Sequence, residues 1–371
     1  MKYSRPPFNA PGIATERKKL LFSNVDVEFP KFDYPVTPLE NFRLAAARKT
    51  PYWMPNALMD GQSLMGQDLV TGNVRGMQSS ADFSRIVTEN YCFKDWFNTE
   101  WTWVTSAGGA MLKPGTCLCD DITQWEKKVL FPDLNEWDFT TVRDKFMKTY
   151  DPAKVMHINI GLGLTERLVS VLGGYTEAML ALAVEPEAVR DFLNRFAGFT
   201  IEYFDLIASL YPVNMITYHD DWGTEKDTFF SEKMMEELVF EPTKRIVDHI
   251  KSKGVIFEFH SCGNITRFIP YMIALNMDFL QIQRRAVDMP AMKKKYGDKI
   301  GFNTRLEGAE FGVSYTLDEL TQKIRNTVDI YGKGGGAYIN IMEPDPKLLW
   351  HTVSELYAYS REFYDKERGK E

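Results

Sequence analysis

The sequence alternates between short apolar runs and longer amphipathic segments, and this alternation is its strongest constraint on the fold. Parallel strands need a crossover of a dozen or more residues, usually a helix, so repeated β–α units predict an α/β protein of the (β/α)8 TIM barrel type, with a doubly wound open sheet as the alternative. The eight strand-like runs are 51–56, 101–106, 155–161, 214–220, 255–261, 278–283, 299–304 and 337–342.

Polar and glycine-rich stretches follow these runs, among them "GLG", "DDWG", "SCGN", "TRLEG" and "MEPDP". Residues after the strands of a barrel meet at one face, which is where barrel enzymes carry their active sites. Residues 1–40 do not fit the repeat, and we interpret them as an N-terminal extension packed on a barrel formed by residues 41–371.

Composition narrows the class of protein. An apolar fraction of 44% and a charged fraction of 26% are typical of a soluble globular chain. The net charge of −7 gives no general attraction to nucleic acid or to an anionic membrane. No apolar run has membrane-spanning length and the N-terminus lacks a secretory signal, so we expect a cytoplasmic protein. The oligomeric state stays open, a homodimer included.

The stretch "GVIFEFHSCGNI" carries an imidazole and a thiol two residues apart, after an apolar run. Alternate residues of a strand share a face, so Glu258, His260 and Cys262 are expected to face the barrel interior. A thiolate and a neutral imidazole are zinc ligands, although a zinc site normally needs three protein ligands. The alternative is a small buried cysteine beside a hydrogen-bonded histidine.

The stretch "YHDDWG" ends the fourth predicted strand. Asp220 and Asp221 are adjacent, so one of them should face inward, where a carboxylate can act as acid, base or cation partner. In the alternative, both carboxylates cap the following turn. His219 is either a substrate contact or a hydrogen-bonded interior histidine.

Other strand ends supply polar or aromatic side chains that could orient a substrate or wall its pocket. A carboxylate after the last strand is a candidate metal ligand or a turn residue before proline. The substrate-binding candidates are Trp53, Asn56, His219, Asp220, Gln283, Asn303 and Arg305, and the last-strand carboxylate is Glu343.

The segment "ITYHDDWGTEKDTFFSEKMMEELVFEPTKRIVDHIKSKGVIFEFHSCGNI" resembles the central part of the uroporphyrinogen decarboxylase superfamily, especially the branch close to the cobalamin-dependent methyltransferases. Residues 113–139, 163–189 and 332–339 fit the same branch, so the resemblance covers most of residues 41–345. It implies a barrel enzyme.

Two departures qualify this resemblance. Uroporphyrinogen decarboxylases carry an arginine-rich segment after the first strand that holds the substrate carboxylates, but here that place reads "MPNALMDGQSLMGQ", which disfavours a porphyrinogen substrate. The zinc methyltransferases use an H-x-C pair plus a later cysteine. His260 and Cys262 match the pair, but "INIMEPDPK" has no cysteine, so the third ligand is a carboxylate such as Glu343 or is absent.

The resemblance favours a methyltransferase that moves a methyl group between a small substrate, of the aryl methyl ether or methylamine type, and a corrinoid carried by a partner protein. The expected catalytic residues are Asp221, His260 and Glu258, and the expected metal ligands, for zinc, are His260, Cys262 and Glu343. The sequence leaves the direction of transfer open. A decarboxylase acting on a smaller substrate and a non-catalytic binding protein are the alternatives.

Overall fold

The computed structural model describes residues 2–19, 26–69, 90–106, 109–310 and 313–369. In chain order, their strands are β1 (Thr15–Lys19), β2 (Asp26–Pro30), β3 (Gly61–Met65), β4 (Tyr91–Lys94), β5 (Glu100–Val104), β6 (Gly109–Leu112), β7 (Val155–Ile160), β8 (Met215–His219), β9 (Ile256–Ser261), β10 (Phe279–Ile282), β11 (Gly301–Thr304) and β12 (Ala337–Ile339).

The α-helices, in the same order, are α1 (Pro38–Ala46), α2 (Ala57–Asp60), α3 (Trp125–Lys128), α4 (Thr140–Met147), α5 (Leu164–Leu172), α6 (Tyr175–Val184), α7 (Pro186–Leu210), α8 (Glu232–Met234), α9 (Phe240–Ser252), α10 (Ile269–Ala274), α11 (Met289–Tyr296), α12 (Leu317–Tyr331) and α13 (Pro346–Arg368). A π-helical turn, Met235–Val239, joins α8 to α9.

Seven parallel strands form one curled sheet in the order β3-β7-β8-β9-β10-β11-β12. The order is sequential, without the reversal of a doubly wound sheet. The two edges meet where Asn56, just before β3, forms a parallel bridge with Ile339 of β12, and the Ile339 amide donates to Pro55 O at 2.9 Å. The predicted TIM-barrel fold class is therefore confirmed.

Two of the eight predicted strands differ in the structure. The predicted strand at 51–56 contributes only the Asn56 bridge. The predicted strand at 101–106 lies mostly in β5, which pairs antiparallel with β4 and β6 outside the barrel. The first regular barrel strand is instead β3, whose polar sequence "GQSLM" gives no apolar run to identify it.

The barrel interior is apolar at one end and polar above it. Val155, Met215, Ile256 and Phe279 form an apolar floor, which Phe42 of α1 seals from below. Further along the same strands, alternate positions carry histidine, threonine, glutamate, glutamine and asparagine, which face the interior because side chains in a strand alternate between its two faces. The polar layer lies toward the carboxyl ends of the strands, where barrel active sites are found.

The larger apolar core lies between the outer faces of the strands and the surrounding helices. Helix α7 illustrates why these segments are helical. Pro186 at its first turn presets the backbone, and Val189, Phe192, Leu193 and Phe196 then recur at helical spacing and are buried. Burial of such a stripe holds the helix on the sheet.

Residues before the barrel form the antiparallel hairpin β1–β2. The Lys18 Nζ of this hairpin donates to Leu58 O at 2.7 Å and to Gly61 O at 2.6 Å, which joins the hairpin to the start of β3. The predicted boundary at residue 40 falls inside α1 and stays a prediction. In the described part of the chain no single helix has both the length and the apolar composition to cross a membrane, although the bent pair α5 and α6 passes that test when taken together.

Candidate active site

Asp221, His260 and Cys262 form a cluster at the carboxyl ends of β8 and β9, and one ligand atom of each lies within 4.8 Å of the others. The Cys262 Sγ is 3.6 Å from the His260 Nε2, and the Asp221 Oδ1 is 3.9 Å from the same nitrogen. The side chains of His260 and Asp221 are 23% and 24% exposed, so the cluster can be reached from outside.

Close backbone packing brings the loops after β8 and β9 together. Gly263 has φ +79°, and a Cβ at this position would lie 2.1 Å from Gly223 O, so the approach of the two loops requires glycine. The Cys262 amide donates to the Asp221 Oδ1 at 2.6 Å, and the Trp222 amide donates to the Ser261 Oγ at 2.9 Å. These contacts hold Asp221 beside Cys262.

Gln281 of β10 orients the imidazole of His260. The His260 Nδ1 lies 2.7 Å from the Gln281 Oε1, and because an amide oxygen only accepts, Nδ1 carries the proton and Nε2 keeps its lone pair. The Gln281 Nε2 donates to Glu258 at 3.5 Å, which agrees with this orientation of the amide. Burial lowers the pKa of His260, so its ring is neutral at pH 7 and Nε2 can act as a ligand.

Cys262 is a protonated thiol in the metal-free protein. Burial, followed by the neighbouring Asp221 carboxylate, raises its pKa to about 12. A thiol with such a pKa is a poor nucleophile on its own, whereas a bound cation favours the thiolate.

The donor set fits zinc. Nitrogen, sulfur and carboxylate oxygen are its usual ligands, and their bond lengths in a tetrahedral site place a thiolate about 3.6 Å from an imidazole nitrogen. The separation of Cys262 Sγ and His260 Nε2 is also 3.6 Å. These residues could therefore hold the ion.

Glu258 lies one layer below the cluster and is fully buried. The Thr217 and Tyr338 hydroxyls donate to its carboxylate at 2.8 and 2.6 Å, and the Asn303 amide donates at 3.3 Å. Burial nevertheless outweighs these hydrogen bonds and raises the pKa of Glu258 to about 7. The group can hold a proton near neutral pH. It lines neither of the two cavities beside the cluster, so any effect on the cluster passes through its neighbours.

Two adjoining cavities open beside the cluster. The larger, of about 810 Å³, is lined by His219, Asn303 and Arg305 among others. The smaller, of about 450 Å³, is lined by both His260 and Cys262, and also by Gln283, Asn303 and Arg305. Four of the predicted substrate-binding residues, His219, Gln283, Asn303 and Arg305, therefore line a cavity.

His219 lies against His260, with ring centroids 4.5 Å apart, and its Nε2 is 3.4 Å from the Asn159 Oδ1. Burial and then the neighbouring His260 lower the pKa of His219 well below its usual value. Burial also lowers the pKa of His157, in the layer below, to about 4. These rings are neutral at pH 7, so the polar interior does not gain positive charge from them.

Three predicted substrate-binding residues have structural roles instead. Trp53 is fully buried and its Nε1 donates to Asp60 at 2.9 Å. Asn56 caps α2 by accepting from the Leu58 amide at 2.7 Å. Asp220 is fully buried at the start of α5, as described next. A position at the end of a strand does not by itself show whether a side chain is buried in a structural role or lines a cavity.

The carboxylate of Asp220 receives the amides of Thr165 and Glu166 at 3.0 and 2.9 Å and the Trp222 Nε1 at 2.8 Å. It is therefore a buried cap for the N-terminus of α5. Of the adjacent pair of acids, only Asp221 reaches the candidate metal cluster.

Glu343 does not join the cluster. Its Oε1 accepts from the Asp345 amide at 2.9 Å, as a turn residue does. The ligand role predicted for Glu343 has no support in this geometry, and Asp221 is the carboxylate that lies beside His260 and Cys262. Sequence reasoning named Asp221 as an acid, a base or a cation partner, but it could not place this carboxylate beside the pair in preference to Glu343, because the position depends on the loop contact with Cys262.

Two residues that support the site, Thr217 and Tyr338, were not among the predicted site residues. A period-two pattern could have identified Thr217, since it lies two residues before His219. Polar residues at alternate positions of a buried strand are the signal.

Comparison with known proteins supports the fold and the family resemblance. Residues 167–310 match the family model described as uroporphyrinogen decarboxylase (URO-D). A methyltransferase from Methanosarcina mazei has a similar structure, with a TM-score of 0.61 and 11% identity over 89% of this chain and 99% of that chain. This likeness shows the fold.

An endo-1,4-beta-xylanase from Caldicellulosiruptor owensensis also matches, with 10% identity over 59% of this chain and 75% of that chain, but its TM-score of 0.26 is too low to carry an argument. No curated protein matches the sequence. The predicted resemblance to the uroporphyrinogen decarboxylase superfamily is thus confirmed by the family match over residues 167–310, on a barrel of the fold that the resemblance implies.

Proposed function

We propose that this protein is a corrinoid-dependent methyltransferase, which moves a methyl group between a small methylated substrate and a corrinoid carried by a partner protein. The observation that carries the proposal is the cluster of Asp221, His260 and Cys262 beside a cavity at the carboxyl end of the barrel. The URO-D match and the barrel shared with a methyltransferase support an enzyme of this superfamily.

His260 Nε2, Cys262 Sγ and the Asp221 carboxylate would hold a zinc ion, with Asp221 in place of the missing later cysteine. A zinc ion there would supply Lewis-acid stabilisation for the oxygen or nitrogen that loses the methyl group, which is otherwise a poor leaving group.

In the demethylation direction, the bond between the methyl carbon and the substrate heteroatom breaks. The heteroatom would keep the electron pair and take up a proton, and the pair for the new bond to carbon would come from a reduced corrinoid on the partner protein. The chain's own residues orient the site for this step. Gln281 fixes the His260 ring, and Asp221 fixes the Cys262 backbone.

Glu258 is a positioning residue in this scheme. It connects to the His260 ring through Gln281, and its raised pKa keeps a proton available in the layer beneath the cavity. The corrinoid protein would approach the barrel mouth, where the side chains of His260 and Asp221 are partly exposed.

Metal analysis of protein purified without chelator tests the proposal. We expect about one zinc per chain in the wild type, and loss of the metal in His260→Ala, Cys262→Ala and Asp221→Ala. Glu343→Gln is the matched control, because this carboxylate lies outside the cluster, and it should keep the metal.

The second measurement is methyl transfer from para-methoxybenzoate or methylamine to free cob(I)alamin, followed by its change in absorption. Transfer that depends on the three ligands supports the proposal. Protein without metal and without transfer would contradict it and favour the non-catalytic binding protein.

A further inference from the structure

The barrel sheet is incompletely closed along one side. Strands β3 and β12 are the two edges of the sheet, and in the described part of the chain the pairing between these edges is limited to the bridge between Asn56 and Ile339. A fully closed barrel has no unpaired edge. A gap therefore remains beside the bridge, between β3 and β12, and we call this gap the seam.

The cavity of about 810 Å³ extends through the seam. It is bordered on one side by Gly61 and Ser63 of β3, and on the other side by Met342, which follows β12. Its inner part is lined by buried side chains of the barrel interior, among them His157 and Asn159, and its outer part by the exposed side chains of Arg17, Lys31 and Asp151. The cavity thus connects the polar interior with the protein surface.

The outer end of this cavity is distinct from the barrel mouth. It lies beside the β1–β2 hairpin, where Gly61 begins β3 and Asp151 shortly precedes β7, and so at the amino ends of these two strands. His260 and Cys262 lie at the carboxyl end of β9 and line the smaller cavity but not the larger one. A macromolecule that covers the mouth therefore leaves the outer end of the seam uncovered.

Hydrogen bonds and an ion pair fix the outer rim of the seam. The Gln62 side chain donates to Asp151 O at 2.7 Å and accepts from the Asp151 amide at 2.9 Å, which joins β3 to the segment before β7. In the hairpin, Lys18 is bonded to Gly61 O, and Glu16 is paired with Lys154, which directly precedes β7. The hairpin is thus attached to the barrel on both sides of the opening.

Ser63 lies on the inner side of the seam. Its Oγ is 3.3 Å from the His157 Nδ1, so this side chain points into the barrel, whereas the neighbouring Gln62 points outward, as the alternation of side chains in a strand requires. Ser63 is half-buried, and it lines the larger cavity but not the smaller one. A small substitution at this position can therefore report on access to the interior.

We infer that the seam is a second entrance to the barrel interior, through which small molecules pass between solvent and the larger cavity while a macromolecule covers the mouth. The entrance stands on the seam and the cavity alone. Its use by a methylated substrate or the demethylated product rests on the proposed function, in which the corrinoid protein occupies the mouth.

Thiol labelling tests the entrance without any methyl transfer. Cys92→Ser and Cys117→Ser remove two exposed native thiols, and Ser63→Cys places a reporter thiol in the larger cavity. Cys262 is retained as the reporter for the mouth, because it lines the smaller cavity.

Streptavidin that carries a biotin-linked maleimide serves as a cover, because it is too large to reach a thiol inside the barrel. It is attached at Arg285→Cys to cover the mouth, at Lys31→Cys to cover the seam, or at both positions; both side chains are exposed at the rim of a cavity. Lys253→Cys, at the exposed end of α9, is the matched control for attachment at a remote site.

The small reagent methyl methanethiosulfonate is then added, and peptide mass spectrometry follows the labelling of each thiol. The cover at Arg285→Cys should slow the labelling of Cys262 about tenfold or more, and should slow labelling at position 63 no more than about twofold. Covers at both Arg285→Cys and Lys31→Cys should slow labelling at position 63 about tenfold or more, because both routes are then closed. The cover at Lys253→Cys should change neither rate. Thermal unfolding verifies that each variant is folded.

If the cover over the mouth slows labelling at position 63 as strongly as it slows labelling of Cys262, the mouth is the only route and the inference is wrong. Labelling at position 63 that is unchanged under both covers, or absent from the folded protein without covers, would overturn it as well. A confirmed entrance in a protein without methyl transfer would contradict the proposed function alone, and methyl transfer with the mouth as the only route would contradict this inference alone.

Discussion

The affinity of the protein for zinc should rise about tenfold for each pH unit between pH 7 and pH 9, because one proton must leave Cys262 when the metal binds. Burial and Asp221 raise the pKa of this thiol to about 12, so the thiol stays protonated across the whole interval. The two pH units correspond to about a hundredfold change in affinity, or about 2.7 kcal/mol.

The sign follows from competition between the proton and the metal for the same sulfur. Below the pKa of the thiol, each unit of pH lowers the proton concentration tenfold and favours the metal-bound thiolate by the same factor. His260 adds nothing in this interval, because its lowered pKa leaves Nε2 free of a proton already. A thiol with its ordinary pKa of 9.0 would begin to level off at the upper end of the range.

Competition with a chromophoric zinc chelator measures the affinity at each pH. Calorimetry in buffers of different ionisation enthalpy counts the protons released, and we expect one per zinc. Cys262→Ala should bind zinc weakly and without this slope. A wild-type affinity that is independent of pH, or a release of two protons, would refute the reasoning.

Three further predictions concern the surrounding network. Glu258→Gln should gain about 2.5 kcal/mol of unfolding free energy relative to the wild type between pH 5 and pH 8. The contribution of Glu258 to stability is fully present below its ordinary pKa of 4.5 and is lost as pH rises toward the folded pKa of about 7. Urea unfolding of both chelator-treated proteins at both pH values measures this, and an equal change in the two proteins would contradict it. Gln281→Leu should weaken zinc binding about 10–100-fold in the same chelator competition, because the ligand histidine loses its hydrogen-bond partner. Asp95→Ala should cost about 3–5 kcal/mol in urea unfolding, because it leaves the fully buried Arg167 unpaired, whereas Asp227→Ala, which breaks an exposed pair, should cost about 1 kcal/mol or less.

The barrel class could be predicted because most of its strands are apolar on their outer faces, where helices cover them. Strand β3 escaped prediction because its inward residues meet a polar interior, and "GQSLM" therefore lacks an apolar run. The run at 101–106 was assigned to the barrel because its aromatic residues favour a strand, but strand propensity does not specify the pairing partner. The sequence identified which segments are strands more reliably than it identified which strands pair with one another.

At the site, strand-end position predicted His260 and Cys262 as neighbours and Asp221 as a nearby acid. It could not predict that Asp221 rather than Glu343 lies beside His260 and Cys262, because that depends on two loops meeting at Gly223 and Gly263.

The polar interior of the barrel has a consequence for the thermodynamics of unfolding. Exposure of apolar surface raises the heat capacity of a protein, whereas exposure of polar surface lowers it. When this barrel unfolds, water reaches the polar side chains of Glu258, Thr217 and Asn303 and their hydrogen-bonded neighbours. In many barrels the unfolding of the interior exposes layers of branched aliphatic side chains instead. The change in heat capacity per residue should therefore fall below the usual value of about 12–15 cal/mol/K, and the curve of stability against temperature should be correspondingly flatter.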